Sequence, residues 1–235
     1  MHKRQITIPC TGYSIAADWY EGDNKNEILL VFVGFGSTKE RNTDFVADIV
    51  AKTQMSALVV DYSGHGESPF ELGRIRPAEH LLETVLAFDW LRAQYPEAKI
   101  SVMGTSYGAF MAAYLTRFRS FKKLVLRTPA IYEPSDFYSP HADIDKLAVR
   151  TYRANSEAAT VHPLFLQSPK FTGTTFLVIH EDDESIPKET TKVYQEVFSA
   201  DTYVAKGFKH AMRDPANPRE KFAEYQEAIA EWLMK

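Results

Sequence analysis

The sequence predicts an α/β fold: a mostly parallel central sheet with helices on both faces and an antiparallel hairpin at the N-terminal end. Three observations predict it. Five apolar runs ending in small or polar residues recur along the chain, helix-length segments lie between them, and the first twenty residues alternate apolar and polar side chains instead. Runs that stay apolar without alternation suit strands covered on both faces. Strands alternating with helices form crossover units, and these build a parallel sheet.

The hairpin comes first. Gln5 to Tyr20, QITIPCTGYSIAADWY, alternates around Thr11 and Gly12 and reads as two antiparallel strands. The apolar runs follow at Asn26 to Gly36, Ser56 to Gly66, Lys99 to Gly108, Lys122 to Ala130 and Thr174 to Asp183, and TYVAKGF near residue 204 is also strand-like. Helices are predicted over Glu40 to Lys52, Pro77 to Gln94, Tyr107 to Phe118, Lys188 to Phe198 and Pro218 to Met234. The second opens on a proline, a residue suited to a first helical position, and sets Leu81, Leu82, Val85, Leu86, Phe88 and Leu91 at helical spacing. Tyr132 to Thr172 breaks the rhythm: about 40 residues separate two strands where about 4 to 6 are usual. This stretch reads as a small cap insertion over the site, within one domain spanning 1–235.

Composition narrows the function classes. Hydrophobic residues make up 45% and charged residues 25%, so the chain has the means to bury a core and is neither disordered nor fibrous. Its 27 basic and 31 acidic residues form no long run of one sign, which argues against nucleic acid and for a small-molecule substrate. Cys10 is the only cysteine, so no internal disulfide forms and no cysteine-based zinc site exists. No apolar run reaches about 18 residues, and the N-terminus lacks the apolar core of a signal peptide. A cytoplasmic protein with no membrane partner is the expectation.

The chemistry centres on Gly104 to Gly108, GTSYG, which follows the apolar ISVM and precedes the helix-compatible AFMAAYLTRF. A serine in this setting sits on a sharp strand-to-helix turn, with small neighbours so that the backbone bends and substrate approaches. The turn lifts the Ser106 hydroxyl off the sheet toward the positive end of the next helix. Serine alone is a poor nucleophile, so a base must activate it, and with such an elbow the chain order is nucleophile, acid, histidine. Asp183, after TTFLVIH, and His210, after TYVAKGF, follow in that order at carboxyl ends of strands.

GTSYG, DESIP, GFKHAM and DYSGHGES (Asp61 to Ser68) together resemble the α/β-hydrolase superfamily. Within it, the chain is similar to small carboxylesterases of the cinnamoyl and feruloyl esterase type and to the monoglyceride lipase and serine aminopeptidase group. The likeness runs from Asn26 to the C-terminus. It implies an acid four residues before the proline of a D-x-x-I-P segment, which is Asp183, and a histidine after the last strand, which is His210. It also implies an oxyanion hole from the amides of Phe35 and Tyr107, and no metal or cofactor. The chain departs from the family at Val33 and Gly34, where His-Gly is common, and in HEDDES, where a glycine commonly follows the histidine. Asp182 and Glu184 flank the assigned acid and stay open as alternatives.

Other candidates have simpler readings. His65, in YSGHGES, rivals His210 as base, but it precedes the nucleophile and its glycines read as a tight turn. His180 reads as a partly buried structural histidine, His141 and His162 as surface residues of the cap or, alternatively, substrate contacts, and His80 as a helix residue. HEDDE lacks the paired histidines of a metal site, GFGSTKER lacks a nucleotide-binding fingerprint, and Cys10 has no histidine partner nearby. The cap aromatics Tyr132, Phe137, Tyr138, Tyr152, Phe165 and Phe171 serve equally well as pocket lining or as packing. Five acidic residues (Glu133, Asp136, Asp143, Asp145, Glu157) and four basic ones (Lys146, Arg150, Arg153, Lys170) give the cap no anion clamp by sequence. The expected activity is cleavage of carboxylic esters through an acyl-enzyme, rising with pH as the base becomes neutral. The alternatives are a thioesterase, peptidase or lipase with the same triad, or a binding protein that retains the fold.

Overall fold

The structure is a computed structural model that describes residues 2–166 and 171–235. Strands β1 (Lys3–Pro9) and β2 (Ser14–Tyr20) pair antiparallel with Ile8 opposite Ile15, as the alternation requires. β3 (Asn24–Phe32), β4 (Met55–Val60), β5 (Lys99–Thr105), β6 (Lys123–Arg127), β7 (Thr174–His180) and β8 (Asp201–Ala205) complete one sheet in the order β1-β2-β4-β3-β5-β6-β7-β8. From β3 onward all pairings are parallel, while β2 meets β4 antiparallel. Each apolar run therefore overlaps its strand, with β3 and β4 starting one or two residues earlier, and the small and polar residues at its end form the loop beyond.

Period-two alternation divides these strands between two cores. Leu30, Leu58, Val102, Leu124 and Leu177 face one side, with α2 (Pro77–Gln94), α3 (Tyr107–Leu115) and α7 (Lys188–Val197) packed over them. Leu29, Val31, Met103, Val125 and Val178 face the other, under α1 (Thr43–Thr53) and α8 (Phe222–Met234). Both faces being dry explains why the strands read as continuous apolar runs.

Helix boundaries differ from expectation at three places. Glu40–Asn42 and Arg219–Lys221 are 3-10 turns that precede α1 and α8. α3 stops at Leu115, because Arg117 and Phe118 donate to carbonyls three residues back rather than four. On α2, Phe88 and Leu91 of the expected stripe are buried and Leu81 and Val85 pack against the core, but the buried face also holds His80, Glu83 and Thr84, and Leu82 is exposed. Those polar side chains have partners below the site, so the helix phase satisfies hydrogen bonds as well as apolar packing. Glu83 accepts from the Tyr13 hydroxyl at 2.6 Å and from the Ser63 amide at 3.0 Å, and Thr84 shares a 2.9 Å bond with Tyr62.

Between β6 and β7 lie α4 (Lys146–Ala154), α5 (Ser156–Thr160) and α6 (Pro163–Leu166), after 3-10 turns at Pro134–Tyr138 and His141–Asp143. Part of the expected cap, residues 167–170 with Lys170, lies outside the described residues. Asp145 caps α4 through the Leu147 amide at 2.7 Å, and Asn155 caps α5 through the Ala158 amide at 3.1 Å. Thr190 on α7 donates to the Arg153 carbonyl at 2.8 Å, and Phe165 meets Tyr194 edge-on at 4.9 Å, which ties these short helices to α7.

Candidate active site

Ser106 stands between β5 and α3 in a tight elbow. A side chain at Gly104 would fall 2.3 Å from the carbonyl oxygen of Gly108, and one at Gly108 would fall 2.3 Å from that of Phe32. Only glycine lets the helix lie this close to the sheet. Ser106 itself has φ +52° and ψ −112°, a region that costs a residue with a Cβ about 1–3 kcal/mol. Hydrogen bonds hold it there: its amide donates to the Arg127 carbonyl at 2.8 Å, and its carbonyl accepts from Ala130 at 3.1 Å.

The loops after β7 and β8 bring two more side chains to that elbow. His210 Nε2 lies 3.0 Å from Ser106 Oγ, and its Nδ1 lies 2.8 Å from Asp183 Oδ2. The other oxygen of Asp183 accepts the amides of Ser185 and Ile186, each at 2.8 Å. Burial opposes the charge on Asp183, but the bonds from His210 and those two amides outweigh it and hold the carboxyl below its ordinary value. Asp183 therefore stays an anion, and a hydrogen bond to it leaves His210 Nε2 facing serine as an acceptor.

Its neighbours point elsewhere. Asp182 lies 3.8 Å from the Lys209 ammonium, and Glu184 accepts the backbone amide of His210 at 3.3 Å. Phe35 follows β3 in a turn closed by the Ser37 amide on the Gly34 carbonyl at 3.0 Å, with Gly36 at φ +67°. Tyr107 opens α3, where helix amides lack partners. Among the described residues neither the Phe35 nor the Tyr107 amide makes a hydrogen bond. The five residues singled out by sequence thus gather at the carboxyl ends of parallel strands.

The remaining histidines support this arrangement. His65 does not reach Ser106; its Nε2 accepts the Gly36 amide at 3.0 Å. His80 bonds the Tyr107 hydroxyl at 2.8 Å and the Ser63 carbonyl at 2.9 Å. His180 lies 2.6 Å from the Lys209 carbonyl and 3.1 Å from the Tyr225 hydroxyl, so it fixes the residue before His210. Burial pushes His180 down to about 4 and lowers His65 and His80 as well. His162 and His141 correct the surface reading: His162 is buried, and the half-buried His141 ring lies 4.8 Å from that of Phe35. Both rings pack among aromatic side chains, and burial disfavours their charged form, pushing each down to about 4. Burial also pushes the half-buried Cys10 thiol up to about 11, which disfavours the nucleophilic thiolate.

Two cavities open beside the elbow, separated by the half-exposed Phe35. One of about 260 Å³ is lined by Ser106, His210, Arg41, Arg127 and Arg213. The other, of about 230 Å³, is lined by Tyr132, His141, Lys146, Arg150 and Arg153. Of the six cap aromatics, Tyr132 lines this second cavity, whereas Phe137 and Phe165 are buried as packing and Tyr138 is exposed.

Fold and elbow together define an α/β hydrolase. The chain belongs to the serine aminopeptidase, S33, family, whose profile matches residues 23–164. That stretch carries Ser106 and ends before Asp183 and His210. No curated protein matches the chain at a significant level. Solved structures of similar fold include an esterase from Pyrobaculum calidifontis, 19% identical, covering 99% of this chain and 85% of that one with a TM-score of 0.70. Another is Est1E from Butyrivibrio proteoclasticus with ferulic acid bound, 18% identical over 97% of this chain and 96% of that one, TM-score 0.71. A hydrolase from Thermoplasma acidophilum is 16% identical over 100% and 99% of the two chains, TM-score 0.70. Among the described residues no helix is long and apolar enough to cross a membrane.

Proposed function

We propose that this chain is a serine hydrolase that cleaves carboxylic esters through an acyl-enzyme. The observation that carries the reading is the run of two short contacts, Ser106 Oγ to His210 Nε2 at 3.0 Å and Nδ1 to Asp183 at 2.8 Å. Ser106 attacks the substrate carbonyl while His210 takes its proton, and Asp183 stabilises the imidazolium. The amides of Phe35 and Tyr107 receive the oxyanion, each contributing roughly 2.7 to 4 kcal/mol. His210 returns the proton to the leaving group, then draws one from water as the acyl-enzyme is hydrolysed. In this reading 1–235 acts as one catalytic domain, with 132–172 as a cap whose Tyr132 and His141 border the acyl cavity.

The experiment is fluorophosphonate labelling of the native protein, followed by peptide mass mapping and nitrophenyl ester kinetics. Label on Ser106 with ester turnover supports the reading. Absence of label would instead favour a binding protein that retains the fold. The family's aminopeptidase description favours a second reading, peptide bond cleavage by the same residues. A panel of esters, thioesters and aminoacyl amides separates the two by relative kcat/KM.

A further inference from the structure

We propose that the substrate is an anion: an ester whose acyl or alcohol part carries a carboxylate or phosphate beside the scissile bond. This rests on the hydrolase reading above and adds the charge of the substrate to it. The cleft that holds Ser106 and His210 is lined by three arginines, Arg41, Arg127 and Arg213, and by no acidic residue. None of the three forms an ion pair among the described residues. The chain has 31 acidic residues against 27 basic ones, so carboxylates are not scarce. They are absent from this cleft in particular.

The arginines are placed, not merely present. Arg213 donates to the Arg41 carbonyl at 2.9 Å, which joins the loop after His210 to the loop after the Phe35 turn. Arg127 is 2% exposed; its Nε donates to the Tyr225 hydroxyl at 2.9 Å, and its guanidinium lies 4.0 Å from the Phe45 ring centre. Its two terminal nitrogens make no hydrogen bond among the described residues. A buried guanidinium without a carboxylate, close to two more of like charge, is unfavourable until an anion arrives. Arginine's planar fork matches carboxylate and phosphate oxygens.

Across Phe35 the pattern repeats. Lys146, Arg150 and Arg153 line the second cavity, again with no acidic residue. Arg153 is 9% exposed, and its partners are the carbonyls of Ile131 at 3.0 Å and Ser185 at 3.3 Å. The near balance of charge along 132–172 conceals this, because folding turns Lys146, Arg150 and Arg153 toward the cavity. Asp183 is occupied by His210, and Glu184 by the His210 amide. An anion entering beside Ser106 therefore meets three arginines, and one entering the cavity across Phe35 meets three further cations.

The test compares para-acetoxybenzoate, para-acetoxyphenyl phosphate and neutral para-acetoxybenzamide, each kcat/KM divided by that ester's rate of hydroxide hydrolysis. At low salt the anionic esters exceed the amide by about tenfold or more, and raising salt to about 0.5 M shrinks that ratio. Carboxylate preferred over phosphate, or the reverse, identifies the group recognised. Arg213→Glu and Arg41→Glu bring the ratio to one or below, and Arg213→Lys keeps part of it. A wild-type ratio of one, independent of salt, overturns the proposal while leaving ester hydrolysis intact. Failure to cleave all three esters, with no label on Ser106, overturns the hydrolase reading and this one together.

Discussion

His65 Nε2 accepts the amide hydrogen of Gly36 at 3.0 Å, and its Nδ1 lies 3.2 Å from the Ser63 carbonyl oxygen. The two contacts are consistent with one neutral tautomer, with the proton on Nδ1. Ser63 is fixed in turn by Glu83, whose carboxylate accepts its amide. The turn that presents the Phe35 amide is thus tethered to α2 through one imidazole.

With the Phe35 amide as the proposed oxyanion donor, His65→Ala should lower kcat about tenfold with little change in KM, since the loss of one hydrogen bond loosens that donor without touching substrate. His65→Gln, whose carbonyl oxygen can accept from Gly36, should recover part of the loss. Steady-state kinetics on one nitrophenyl ester checks both variants. Equal KM and kcat effects, or no rescue by glutamine, would show that the tether does not act on the oxyanion turn.

The acid is tested by ranking neighbours. Asp183→Asn should cost on the order of a thousandfold or more in kcat, because an amide donor at Nδ1 leaves the wrong tautomer facing serine. Asp182→Asn, which lies 3.8 Å from the half-exposed Lys209 ammonium, should stay within about twofold. Glu184→Gln should fall between them, because Glu184 accepts the His210 amide rather than the ring. The same assay ranks all three, and a larger loss at Asp182 would reassign the acid.

Much of this was legible before any coordinates. Chain order and strand ends bring Ser106, Asp183 and His210 together because each is local to a recognisable element, and the loops after parallel strands share one edge of the sheet. The supporting residues were not legible in the same way. His65 carries a signal in its flanking glycines, which mark a turn, but nothing in sequence pairs it with Gly36, 29 positions away. His80, Glu83 and Thr84 were hidden by the leucines around them, since periodicity reads apolarity and not hydrogen-bond partners. The charge of the cleft was also hidden, because Arg41, Arg127 and Arg213 converge from a 3-10 turn, the end of β6 and the loop after His210.

The backbone of Ser106 gives a prediction with opposite signs for activity and stability. At φ +52° and ψ −112° a Cβ is strained and glycine is not. Ser106→Gly should raise unfolding free energy by about 1–2 kcal/mol relative to Ser106→Ala, while both variants lose acyl-enzyme formation. Urea unfolding of the two variants at one pH measures the difference. Equal stability would mean that the neighbouring hydrogen bonds, not the Ser106 dihedrals, set the cost of the elbow.

Buried histidines set the response of stability to acid. Burial above all pushes His162 and His180 from the ordinary 6.5 down to about 4, and both are nearly inaccessible. As pH falls below 6.5 the unfolded chain takes up protons that these rings refuse, so folding weakens progressively toward pH 4. Each ring removes on the order of 2 to 3 kcal/mol by about pH 4.5. Asp61 acts in the opposite sense. Burial, the largest influence, raises its carboxyl from 3.8 to about 6, so between those values the folded state binds its proton first and stability falls as pH rises. Ionised Asp61 therefore offsets part of the histidine effect at neutral pH, by on the order of 2 kcal/mol between about pH 4.5 and 7.5. The wild-type chain should still lose stability on acidification, because His162 and His180 together outweigh Asp61, and burial lowers His65, His80 and His141 in the same sense. Asp61→Asn keeps an acceptor for the Lys39 amide and removes the opposing group, so its loss from about pH 7.5 to 4.5 should be steeper than the wild type's by about 2 kcal/mol. Urea titrations of both proteins at the two pH values decide it, and parallel pH dependences would place the Asp61 carboxyl at its ordinary value.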